Sequence, residues 1–93
     1  MVLQDDNLDA ILGHGDALLL QGRCEEALRS YGSILSRRAD HVMGLCGAAT
    51  AHLAGANGRE ALRLYDAALS ASPGHLGASL GRTQALEALG EPA

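Results

Sequence analysis

The chain has no lysine, no tryptophan and no phenylalanine, and Tyr31 and Tyr65 are its only aromatic residues. Any core must therefore be built from Leu, Ala, Ile and Val. Cys24 and Cys46 are too few and too widely spaced for a disulfide framework or a CxxC metal motif. They read as two small, partly buried thiols. With seven Arg against eleven Asp and Glu, the formal charge is −4. That balance disfavours non-specific nucleic-acid binding. No apolar run approaches the roughly 20 residues of a membrane span. Residues 1–10 carry Asp5, Asp6 and Asp9 and no cation, unlike the charged start of a signal peptide. These absences imply a soluble, cytoplasmic chain or a segment of a larger one.

What is present favours helices. The chain has 93 residues, 47% of them apolar, enough for one domain with a modest core and too apolar for disorder. Its 12 glycines, with many alanines, point to helices packed at close range. Apolar residues recur at helical spacing in Ala27, Leu28, Tyr31, Ile34 and Leu35, and again in Ala61, Leu62, Tyr65, Ala68 and Leu69. No segment alternates as a strand would. Turn and cap residues divide the chain into five predicted helices, near 8–20, 24–37, 41–53, 58–71 and 75–89. Gly22 suits a left-handed cap. Asp40 and Asn57 are the expected N-caps of the third and fourth helices. Glu60 is placed to return the bond of a capping box. Glu25 and Arg29 are spaced for a weak surface ion pair.

The strongest signal is a period of 34. Tyr31 and Tyr65 stand at that interval (65 − 31), as do Ala27 and Ala61, and Leu35 and Leu69. Gly13, Gly47 and Gly81 form one ladder, and Ala17, Ala51 and Ala85 another. A fixed period of this length marks a stacked repeat array, and such arrays offer extended binding surfaces.

These positions resemble the tetratricopeptide repeat (TPR) over most of the chain, about 8–90. The matching residues are the small Gly15 and Ala49 late in each first helix, Leu18 three beyond Gly15, Ala27 and Ala61 early in each second helix, the aromatics Tyr31 and Tyr65, then Ile34 and Ala68, and Pro73 at a repeat junction. Ala39 replaces that Pro in the first repeat, and His52 takes the large apolar position in the second. Gly15 against Ala27 and Ala49 against Ala61 would let paired helices approach. Each Tyr would fill the wedge between neighbours. Gly32 should weaken its helix by up to about 1 kcal/mol.

The resemblance implies an all-α, right-handed superhelix of helical hairpins. It would have a tail (1–7), two repeats (8–41 and 42–75), a C-terminal capping helix (76–89) and a short tail (91–93). Ser79 and Arg82 replace Ile11/His14 and Leu45/Ala48 on a face expected to lack a further helix.

By the same resemblance, first helices line a concave groove. Its outer row is Asp9, Met43 and Gly77, its middle row Leu12, Cys46 and Leu80, and its inner row Asp16, Thr50 and Gln84. Leu19, Leu53 and Glu87 form the margin. The expected ligand is a protein or peptide segment with apolar anchors and a basic flank. Chaperone-tail carboxylates are not expected, because Leu12, Asp16, Gly47, Gly77 and Gly81 supply neither cations nor Asn where such clamps need donors. Self-association as a homodimer is the alternative, since a short array has raw ends.

Metal and catalytic readings fare worse. His14 and His52 fall on expected packing positions, and His41 and His75 recur before helices. Zinc needs clustered ligands, so no cofactor or metal is expected. Cys46 and His52 lie six apart on one helix, on different faces. No paired carboxylates, phosphate loop or nucleophile constellation appears, which argues against an enzyme. An RNA-binding array of similar period would need a basic stripe.

Overall fold

The computed structural model describes residues 7–90. Asp5, Asp6 and most of the N-terminal tail lie outside them, as do Pro92 and the C-terminal tail. The described residues form five helices and no strand: α1 (Leu8–Leu20), α2 (Cys24–Arg37), α3 (Val42–Ala54), α4 (Gly58–Ala71) and α5 (Leu76–Ala88). The connections 21–23, 38–41, 55–57 and 72–75 are short enough to return each helix against its predecessor.

Helix ends follow the 34-residue period in atomic detail. α1 and α3 end alike. Arg23 N–H donates to Leu18 C=O (2.9 Å) and Gly22 N–H to Leu19 C=O (2.9 Å), while Asn57 N–H donates to His52 C=O (2.8 Å) and Ala56 N–H to Leu53 C=O (3.0 Å). This is the Schellman closure, which needs a left-handed residue. Gly22 (φ 79°) and Ala56 (φ 64°) supply it, and Gly90 (φ 77°) has the same left-handed backbone after α5. Ala56 is the strained member, because a Cβ crowds its backbone there. Ala56→Gly is therefore expected to stabilise the fold by about 0.5–1 kcal/mol, read as a raised urea midpoint at unchanged m-value.

Two cap assignments need correction. The N-cap of α3 is His41, not Asp40, with the imidazole Nδ1 accepting from Gly44 N–H at 2.9 Å. His75 does the same for α5, accepting from Ala78 N–H at 3.0 Å. At α4, Asn57 Oδ1 accepts from Glu60 N–H (3.4 Å) as expected. Asn57 N–H, however, already closes α3, so the Glu60 carboxylate turns to Arg63 and no reciprocal box forms. The exposed pair near the start of α2 likewise joins Arg23 to Glu26 (2.6 Å), in place of Glu25 to Arg29.

Packing runs through α3. It contacts α2 and α4, and also α1 and α5. Contact of comparable extent does not join α2 to α4 among the described residues. The first helices thus form one contiguous layer, and the second helices sit apart behind it. The core is aliphatic and small-residue, with Leu18, Ala27, Ile34, Ala49, Ala61 and Leu64 buried around two fully or nearly buried tyrosines.

Each tyrosine wedges between the helices on either side. A Cβ at Gly47 would lie 2.3 Å from Tyr31 Cε1, and one at Gly81 would lie 2.2 Å from Tyr65 Cζ. On its other side Tyr31 meets Gly15, whose Cβ position is 3.0 Å from the same Cε1 atom and 3.2 Å from Ser30 Cβ. Gly15 thus makes room for Tyr31 and Ser30. Gly13, in the same ladder as Gly47 and Gly81, has nothing within 4 Å, because no helix precedes α1 among the described residues. For the same reason His14 and Ala17 are exposed, whereas Ala48, Ala51 and Ala85 are buried. His14 is therefore not a packing residue.

Arg82 corrects the expected polar end. It turns back to α4, donating to Asp66 Oδ1 at 2.6 Å. Ser79 is exposed, but so are Leu76 (72%) and Leu80 (59%).

Candidate functional site

α1, α3 and α5 carry all twelve expected groove and margin residues, and none of the twelve is buried. Leu12, Leu19, Cys46 and Leu53 are half-buried and pack on the core edge. Met43 (49% exposed) and Leu80 (59%) stand free of it. Asp16, Thr50 and Gln84 are exposed. Helical spacing explains the split. Positions facing the paired second helix are spent on packing, and the next positions around the turn are left to solvent.

Asp16 and Thr50 hold more than an idle row. Tyr31 Oη donates to Asp16 Oδ1. Tyr65 Oη and Thr50 Oγ1 share a hydrogen bond at 2.8 Å, and Thr50 Oγ1 also donates to Cys46 C=O at 2.9 Å. Both tyrosine links span 15 residues (31 − 16 and 65 − 50). The core aromatics therefore reach through to the α1/α3/α5 face and tether its polar residues. Spacing alone concealed this link, although a tyrosine in place of phenylalanine at both wedge positions was its signal.

Electrostatics follow from burial. The Tyr31 hydroxyl is held protonated far above its ordinary range, first by burial and then by the hydrogen bond and negative charge of Asp16. Burial also raises Tyr65, opposed by its bond to Thr50. Burial pushes the Cys46 thiol up, which keeps it protonated and a poor nucleophile. Among the described residues no three of His, Cys, Asp and Glu gather as a metal group.

Asp9 stands somewhat apart. It lines an open cleft with Asn7, Leu8, Arg38 and His41 at the start of α1, so a guanidinium shares its surroundings. A second cleft, lined by residues including Arg23, Cys24, Glu26 and Arg29, lies at the start of α2. Leu76 on α5 and Leu20 at the end of α1 (90% exposed) are apolar surface outside the anticipated rows.

No helix among the described residues is long and apolar enough to cross a membrane. No family model matches the chain, and no curated protein matches it.

Proposed function

We propose that this chain is a TPR-like protein-interaction module that docks a segment of a partner protein along the face shared by α1, α3 and α5. The observation that carries the reading is the pairing of Met43 and Leu80. Both are large, apolar and about half or more exposed, on a layer where Leu12, Leu19, Cys46 and Leu53 pack on the core and Asp16 and Thr50 are held by tyrosine bonds. A rigid floor with free apolar side chains loses little order on binding, so more of its contact energy appears as affinity. The curvature expected of hairpins whose first helices pack together and whose second helices stay apart would make this layer the inner, concave one.

Leu80→Glu and Met43→Glu are the test. Both positions are exposed, so stability should change by no more than about 0.5 kcal/mol. Burying a charge in place of a leucine anchor should cost a bound partner at least about 1.5–3 kcal/mol, a ten- to hundredfold loss of affinity. The measurement is a pull-down with the isolated chain, followed by competition with peptides from the captured protein. Unchanged capture by both variants would reject the groove.

Self-association is a second reading, favoured by Leu76 (72% exposed) beside Leu80 on α5, the last helix of the described chain. Sedimentation across concentration separates the two. A tight dimer dissociated by Leu76→Glu supports self-association, and a monomer supports the groove.

A further inference from the structure

Arginine is unevenly divided between the two sets of helices. α1 and α3 contain no arginine, and the only one in α5, Arg82, is tied to Asp66 of α4. Arg29, Arg37, Arg59 and Arg63 all lie on α2 and α4. There they are balanced by Glu25, Glu26, Glu60 and Asp66, whereas the first helices carry Asp9, Asp16 and Glu87, all exposed, with no such balance. Asp9 shares its cleft with Arg38, which leaves Asp16 and Glu87 as the clearer charges.

Repeat-equivalent positions make Asp16 informative. Thr50 does for Tyr65 what Asp16 does for Tyr31. A neutral hydroxyl therefore suffices to satisfy the tyrosine, and the negative charge at position 16 exceeds what that bond requires. The bond engages one oxygen of an exposed carboxylate. A carboxylate has about four acceptor sites, so it keeps capacity for a further donor, and the tyrosine limits its rotation. An acceptor held in place beside free apolar side chains suits a guanidinium or ammonium.

We infer that the occupant of the α1/α3/α5 face is a cationic segment of a partner protein, with apolar side chains seated on Met43 and Leu80 and an arginine or lysine bonded to Asp16. This rests on the groove reading above. The complementarity is one-sided away from the Asp9 end, where Arg38 lies: Asp16 and Glu87 offer carboxylates and Arg82 is tied to Asp66, so an acidic segment would be repelled there.

The test selects random peptides displayed on phage against the whole chain. Each enriched peptide is then measured against Asp16→Thr, which keeps a partner for Tyr31 but removes the charge. It is also measured against Thr50→Asp, which adds a charge in the equivalent place, and Leu80→Glu. The expected peptides combine apolar anchors with Arg or Lys. Asp16→Thr should weaken them roughly three- to tenfold and Thr50→Asp should strengthen them, with both differences shrinking in about 1 M salt, where screening is short-ranged. Peptides that Leu80→Glu abolishes, but that are neutral or acidic or indifferent to Asp16→Thr, overturn this inference and leave the groove standing. Failure to enrich any peptide sensitive to Leu80→Glu overturns both. A chain that dimerises through this face, with peptide binding replaced by self-association, overturns the inference in favour of a second copy as occupant.

Discussion

Replacing Tyr31 with alanine is expected to lower the unfolding free energy by about 3–5 kcal/mol, the range for truncating a buried aromatic. Tyr31 is fully buried (0%) and lies against Gly15 of α1 and Gly47 of α3. Its ring fills space that neither glycine can fill, so truncation leaves a void between three helices. Total stability for a domain of this size is of order 5–15 kcal/mol, so the loss is a large fraction of the whole. The melting temperature should fall by on the order of 15–30 °C. Tyr31→Phe separates ring from hydroxyl. It loses one hydrogen bond, worth about 0.5–1.5 kcal/mol, and the exposed Asp16 carboxylate regains water in exchange. Thermal and urea unfolding of both variants checks the claim. A Tyr31→Ala protein as stable as Tyr31→Phe would mean the wedge does not hold the hairpins together.

The second large effect is a reversal of sign along one ladder. Gly13, Gly47 and Gly81 are equivalent by sequence, and alanine is the better helix former at any of them by about 1 kcal/mol. Gly13→Ala has open space and should stabilise by about that amount. Gly47→Ala brings a methyl group to 2.3–2.8 Å from Tyr31 Cε1, Cζ and Cδ1. The ring cannot retreat easily, because its Cε1 edge already faces Gly15 on the other side. Overpacking of this kind costs about 1–3 kcal/mol and outweighs the gain in helix propensity. Gly81→Ala should act in the same direction through Tyr65, whose Cζ and Cε1 would lie 2.2 and 2.3 Å away. Urea unfolding of the three variants measures this directly. Equal stabilisation at all three positions would contradict the wedge packing.

Much of the fold was legible in the chain. The limits of α1, α2 and α4 match their apolar periodicity and caps, and those of α3 and α5 differ by one residue at each end. Local chemistry governs these features: glycine tolerates the left-handed backbone at residue 22, and Asn57 supplies a cap from its own side chain. Where local signals competed, the sequence misled. Asp40 is the better N-cap by type, but the turn closed by His41 N–H on Arg38 C=O (3.0 Å) places the imidazole at the helix end. Glu60 fits a capping box by spacing, but its backbone target was already taken by α3.

The candidate face divides along the same line. The resemblance to the tetratricopeptide repeat named the residues expected on the α1/α3/α5 side, and the structure shows that they lie on those three helices and that none is buried. Which of those residues are free had to come from packing. Asp16 and Thr50 are tethered by tyrosines fifteen residues away, Arg82 turns back to Asp66, and Gly13 is open where Gly47 and Gly81 are filled. The chain by itself determined that it is helical, where each helix turns, and that its hairpins share one pattern, since these depend on neighbours within a few residues. Tertiary structure decided which copies of a repeated residue meet a neighbour and which meet water, because identical residues at the middle and the end of a stack have different surroundings.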